Sequence, residues 1–412
     1  MVLNYVWAGF FLVALFVALI KYFFFQDEQI FELLVGGVFD SAKTGFEISL
    51  ALTGVMTLFL GILKIGEEAG AIRFLGRIIG PFFRKLFPEV PANHPAHGQM
   101  IMNFSANMLN LDNAATPFGL KAMESLQELN PSKDTASNAQ IMFLVLQTSG
   151  LTLIPINIMT YRASMGAADP SDVFMPLLIS TYFATVISLM AVMLKQKIKI
   201  WDKTILGWIG GISGAVGLLI WYLSTLSQSE IESFSKVYSN LILLVVIVGF
   251  IAGGLWKKID VFDTFITGAK EGFQVAVKII PYLVGMLVAI SMLRNSGMLG
   301  YITDGLAWGF ASLGFDTKFV EALPVAIMRP LSGSGARGLM LEAMAPENGG
   351  PDSFVGKLVC IFQGTTDTTF YVIALYFGSV GVSKVRYAIQ YGLLADFVGI
   401  VAAILMGYMF FA

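Results

Sequence analysis

Of 412 residues, 56% are hydrophobic and only 13% are charged, and the mean hydropathy is +0.75, a composition that excludes an ordinary soluble domain. A net charge of −2 without a basic run argues against nucleic acid as a partner. The single Cys360 leaves no internal disulfide and no multi-cysteine metal cage.

In chain order, the first apolar stretch, Leu3 to Ile20, is too long for a signal-peptide core and lacks a basic start. It predicts a retained membrane helix reaching Phe25, with Phe46–Leu63 as the next span. Met100–Met123 is apolar enough for membrane depth, yet it carries Asn103, Asn107, Asn110, Asp112, Asn113, Thr116 and Pro117. Asn103, Asn107 and Asn110 recur three or four apart and share one helix face. Pro117 lacks a backbone donor and disfavours a helical Thr116, so the helix is expected to break there. Gln147-Thr148-Ser149-Gly150 then forms a hydroxyl-rich knot between apolar flanks.

Val173–Leu194, Thr204–Leu226 and Val237–Trp256 are clear spans, and Gly272–Leu293 qualifies although Lys278 and Pro281 interrupt it. In Leu323–Gly338, Pro330 and three glycines argue against a continuous helix. Gln363-Gly364-Thr365-Thr366-Asp367-Thr368-Thr369 is a second hydroxyl-rich knot. Phe397–Ala412 reaches spanning length only if started near Tyr387, which puts Asp396 at membrane depth.

These segments repeat. Ala42-Lys43-Thr44-Gly45-Phe46 recurs as Ala269-Lys270-Glu271-Gly272-Phe273, and the same register pairs Gly70 with Gly297 and Phe83 with Phe310. Further on, Asn113–Met123 lies over Ser334–Met344, the Gln147 knot over the Gln363 knot, and Ser171 and Val173 over Ser383 and Val385.

Lys195, Lys197, Lys199 and Lys203 mark one cytoplasmic loop, Lys257 and Lys258 another, and Ser227–Lys236 between them carries Glu230 and Glu232 and reads as external. Followed outward from there, the two copies take opposite orientations, with Thr204–Leu226 as the inverting helix; the rival reading is a parallel duplication. The expected fold is therefore all-α and polytopic, two inverted-topology repeats with interrupted or re-entrant helices. The repeats occupy residues 1–200 and 237–412, and 201–236 supplies the connecting helix and external loop.

Irregular backbone at membrane depth is tolerated only inside protein or along a watery cavity, where half-helix ends aim partial charges at an occupant. The candidate binding residues are therefore Asn103, Asn107, Asn110, Asp112, Asn113, Thr116, Gln147 and Ser149 in the first half. Their counterparts are Arg329, Ser332, Ser334, Arg337, Gln363, Thr365, Thr366 and Asp367. The competing reading makes the amides and hydroxyls helix glue. For Arg329 and Arg337 it makes an internal ion pair with Asp367 or Asp396, against a guanidinium fork presented to a carboxylate. Asp367 suits a proton site, a Na⁺ ligand or a helix cap.

His94 and His97 flank Pro95 with no carboxylate or cysteine near them, and are not read as a metal site. No His-Glu-x-x-His motif, nucleophile–base pair or phosphate-binding Gly-x-x-x-x-Gly-Lys loop is present, so neither an enzyme nor ATP use is expected.

The run Met102-Asn103-Phe104-Ser105-Ala106-Asn107-Met108-Leu109-Asn110-Leu111-Asp112-Asn113-Ala114-Ala115-Thr116-Pro117 resembles spore maturation protein A. Arg329-Pro330-Leu331-Ser332-Gly333-Ser334-Gly335-Ala336-Arg337 and Gln363–Ile373 resemble spore maturation protein B, here joined to the first in one chain. The resemblance places the chain in the nucleoside-recognition or gate-domain group, similar to modules of nucleoside and ferrous-iron permeases. It implies a transporter-like fold, a multi-pass location in a bacterial inner (plasma) membrane, and association into a homo-oligomer. In spore formers these proteins are linked to dehydration of the spore core. The leading expectation is a secondary transporter of a small polar, anionic or zwitterionic solute, bound at mid-membrane between the repeats. Its partners are that solute and the bilayer. No resident cofactor is expected beyond a coupling Na⁺ or H⁺, and the N-terminus is placed in the cytoplasm with the C-terminus outside. The alternative is a non-transporting scaffold or assembly factor.

Overall fold

The computed structural model describes the backbone of residues 2–412 and the side chains of residues 5–111 and 115–412. The described residues form helices and no strand, apart from one isolated bridge between Thr135 and Lys384. In order the helices are α1 (Val2–Phe25), α2 (Ile30–Ala69), α3 (Ala71–Leu86), α4 (Pro95–Met108), α5 (Asp112–Leu129) and α6 (Asn138–Ser149). Next come α7 (Ile156–Ser164), α8 (Phe174–Lys195), α9 (Lys203–Ser224), α10 (Gln228–Trp256), α11 (Val261–Asn295) and α12 (Met298–Ser312). The chain ends with α13 (Leu323–Met328), α14 (Gly333–Ala343), α15 (Phe354–Thr365), α16 (Thr369–Ser379) and α17 (Ala388–Phe411). Among the described residues, 8 helical stretches are long and apolar enough to cross a bilayer, which makes the chain a polytopic membrane protein.

Hydropathy located the spans well, with three corrections. The helix over Val261–Asn295 runs unbroken through Lys278 and Pro281, because one proline removes a single backbone bond. Ser227–Lys236 is not an extended loop: Ser227 caps α10 in a reciprocal box with Glu230, and the helix starts at Gln228. Pro117 lies inside α5 and does not end a helix. The break falls earlier, at residues 109–111, where Asn110 takes φ 60°.

The chain divides into two compact units, each drawing on both halves of the sequence. The first holds residues 1–60, 160–170 and 269–363. Within it α2 and α11 cross antiparallel. As the α2 partner rises through Gly37, Gly45 and Thr57, the α11 partner falls through Asn295, Val284 and Gly272. A Cβ on Gly272 would lie 2.6 Å from the Met56 carbonyl oxygen, so that site needs glycine for the approach, and one on Gly45 would lie a tight 3.1 Å from Val284 Cα. The register that lays Gly45 on Gly272 also lays Thr57 on Val284. Under that register the two contacts exchange places. Arg162, wholly buried, anchors the same unit: it donates to the carbonyls of Pro351 (2.6 Å) and Asp169 (3.3 Å) and pairs with Asp352 at 3.1 Å.

The second unit holds residues 61–159, 171–268 and 364–412. Its core joins Phe83, Phe87, Met100, Phe104 and Phe143 with Tyr376 and Phe377. α8 and α17 pack closely because Gly399, Ala395 and Ala184 keep the surface between them low.

Candidate functional site

In the second unit, α4 closes with a left-handed cap. Asn110 N donates to the Asn107 carbonyl and Leu111 N to the Ala106 carbonyl, each at 2.9 Å. Asn is among the few residues that accept this conformation, and Asn157 N secures the Asn110 side chain by donating to its Oδ1 at 3.1 Å. From α4, Asn107 Nδ2 donates to Gln147 Oε1, Gln147 Nε2 to Asn103 Oδ1, and Asn103 Nδ2 to the Ala115 carbonyl at 2.8 Å. Asn103 is 0% exposed and Gln147 5%, so these amides satisfy one another in a dry setting.

The two hydroxyl-rich knots also meet in this unit. α6 ends at Gly150 with φ 61°, and Asp367 N donates to the Thr148 carbonyl at 2.8 Å. Ser149 is buried, and its carbonyl accepts from Thr185 Oγ1 at 3.4 Å. Thr365 and Thr366 set their methyls against Gly399. Asp367 is exposed, and its Oδ1 accepts from the adjacent Thr368 N at 2.7 Å. Asp396 is 3% exposed on α17, and its Oδ2 accepts from Thr369 Oγ1 at 2.6 Å. Thr116 is half-buried on α5. The side chains of Asp112 and Asn113 lie outside the described residues.

In the first unit, the chain breaks between α13 and α14, as Pro330 and the glycines predict. Ser332 stands at the α14 N-cap and accepts from Gly335 N at 3.0 Å, with Ser334 Oγ at 3.3 Å from its own hydroxyl. Gln363 is 5% exposed, and its Nε2 donates to the Gly333 carbonyl at 3.3 Å. Arg337 lays its guanidinium over the Tyr161 ring, 5.3 Å from the centroid. Arg337 Nε and Gln363 Oε1 are both buried and have no hydrogen-bond partner among the described residues. Arg329 is half-buried at the end of α13.

Two features of this unit escaped the sequence reading. One is the Arg162 anchor, whose signal was an arginine among apolar residues just after the first knot. The other is a cavity of about 920 Å³ between α2, α11 and the end of α14, lined by Glu32, Asp40, Glu47, Arg294, Glu342 and Glu347. Arg294 pairs there with Glu342 and, at 3.7 Å, with Glu347. The spacing of Glu32, Asp40 and Glu47 along one helix face was the available clue.

Residues 49–167 and 276–383, together more than half of the chain, match the family profile Gate, described as nucleoside recognition. Over 162 residues the chain is 45% identical to spore maturation protein B of Bacillus subtilis (strain 168), a match covering 39% of this chain and 88% of that protein. Over 144 residues it is 40% identical to spore maturation protein A of the same organism, covering 35% of this chain and 74% of that protein. No solved structure matches. With its helical, bilayer-spanning architecture and these two matched parts, the chain belongs to the Gate nucleoside-recognition family of membrane proteins.

Proposed function

We propose that the protein is a secondary transporter of a small polar solute in a bacterial inner membrane, built from two inverted repeats. One observation carries this reading: beside the helix break before α14, a buried donor on Arg337 and a buried acceptor on Gln363 have no partner among the described residues. Buried polar groups are nearly always paired, so an unmet pair beside a half-helix start is a place prepared for an occupant. The reciprocal crossing of α2 and α11 supports the inverted arrangement, because a parallel pair would repeat contacts in the same sense along both helices. The coupling ion in this reading is Na⁺ or H⁺, with Asp396 and the Thr369 hydroxyl that donates to it as the natural holder.

A specific observation also favours the scaffold reading for the second unit, where Asn103, Gln147 and Asn107 bind one another and leave little for a ligand. Uptake of labelled amino acids, dicarboxylates and nucleosides into proteoliposomes tests the choice. Transport of one class above empty liposomes, reduced at least ten-fold in Arg337→Lys, is expected. No uptake of any class would leave the scaffold reading standing.

A further inference from the structure

We infer that the start of α14 is a binding site for a zwitterion, a carboxylate carried beside a protonated amine. The inference rests on the transporter reading for the site's use, though not for its existence.

Two N–H groups at the start of α14 are already taken. Ser332 Oγ occupies the Gly335 N–H and the Ser332 carbonyl occupies the Ala336 N–H at 2.9 Å. The N–H groups of Gly333 and Ser334 belong to the first turn, where no intrahelical acceptor exists, and they point out of the positive helix end. A carboxylate is the natural group to meet them. Arg337 supplies the matching charge from the same helix. Tyr161 covers one face of its guanidinium and leaves the edge, with the unmet Nε, for an acceptor.

The second half of the ligand follows from Gln363. Its amide orientation is fixed, because the nitrogen donates to the Gly333 carbonyl and the oxygen must therefore face elsewhere. That oxygen is buried and unmet, so it demands a donor. The Gly333 carbonyl is also the position one turn before Arg337 in α14, so the amide lies within about one helical pitch of the Arg337 backbone. The unmet acceptor is thus held against the first turn of the helix that carries the unmet donor. One ligand carrying both an anionic acceptor and a cationic donor answers both.

Other classes answer only in part. A dicarboxylate would set oxygen against Gln363 Oε1. A simple carboxylate would leave that oxygen unmet. A nucleoside offers donors but no negative charge for Arg337 and the helix end.

The test uses the full chain purified in detergent and follows its melting temperature. Three pools are added separately: the common L-α-amino acids, the same compounds without the amine, and the same compounds without the carboxylate. A ligand that binds the native state raises the melting temperature. The expected result is a large rise with the amino-acid pool, a weak one with the amine-free acids and none with the carboxylate-free amines. Gln363→Met, of similar size but without the acceptor, should weaken amino-acid binding at least ten-fold and leave the weak response to the amine-free acids unchanged. Arg337→Lys should weaken both. An equal rise with the amine-free pool, or no rise with any pool, overturns the inference on the native chain alone, even if a variant fails to fold. Proteoliposome flux separates the two ideas: binding without uptake sinks the transporter and keeps the site, whereas uptake without zwitterion preference does the reverse.

Discussion

At the residue scale, the polar side chains of the broken segments fall into two kinds. Asn103 and Gln147 are each bonded within the protein through both the oxygen and the nitrogen of the amide, so they act on stability. Gln147→Leu strands the amides of Asn103 and Asn107 and should destabilise the fold by about 1–3 kcal/mol, while ligand affinity stays unchanged. Arg162→Ala takes the donor from the Pro351 and Asp169 carbonyls while the exposed Asp352 stays solvated, and should cost about 1–3 kcal/mol, measured by chemical unfolding in detergent. Both polar groups of the α14 site, Arg337 and Gln363, stood out in the sequence as charge or amide beside a helix break. What the sequence did not disclose is which amides find each other. Asn103, Asn107 and Gln147 carry the same chemical signal as Gln363, and only the distance between α4 and α6 decides that they pair.

At the element scale, spans were legible because a bilayer demands long apolar runs, and α1, α8, α9 and α17 fall where hydropathy puts them. The turn between α4 and α5 was not legible at its true position. Proline advertises a break loudly, but its effect is local and α5 absorbs it, whereas the cap at Asn110 depends on Asn157, far along the chain. The loops of the second unit are joined by a small ladder: Ala136 N donates to the Lys384 carbonyl at 3.0 Å, and Lys384 pairs with Asp134 at 2.7 Å. The hydrogen bond from Lys384 holds the Asp134 carboxyl below its ordinary 3.8, and the same bond raises Lys384 above 10.5. A lowered carboxylate stabilises above its unfolded value and loses that contribution as pH falls through the folded value. A raised lysine stabilises below its unfolded value and loses that contribution as pH rises through the folded one. The ladder therefore holds across the neutral range and weakens at both extremes. Asp134→Asn should leave the melting temperature at pH 7 nearly unchanged and flatten its dependence on acid below about pH 4.

At the scale of the whole molecule, the lysine-rich turn before α9 faces the cytoplasm and the start of α10 faces outward in the proposed topology. With Cys360 replaced, Lys199→Cys and Ser229→Cys place probes on exposed positions of the two turns. An impermeant thiol reagent on intact cells should label Ser229→Cys and spare Lys199→Cys; the reverse pattern would show the orientation to be inverted.

The mutual glycine crossing of α2 and α11 carries a consequence for a severed chain. Both helices are long, and the surfaces that meet at Gly45 and Gly272 lie far apart in sequence. The connection through α9 then acts chiefly as a tether that raises local concentration. Cut between α9 and α10 at Ser227, the two fragments should find each other in the bilayer and co-purify when expressed together. Gly45→Leu and Gly272→Leu, each blocking one of the two mirrored contacts, should weaken that reunion to a similar degree, so complementation between the pieces would report the internal symmetry without any ligand.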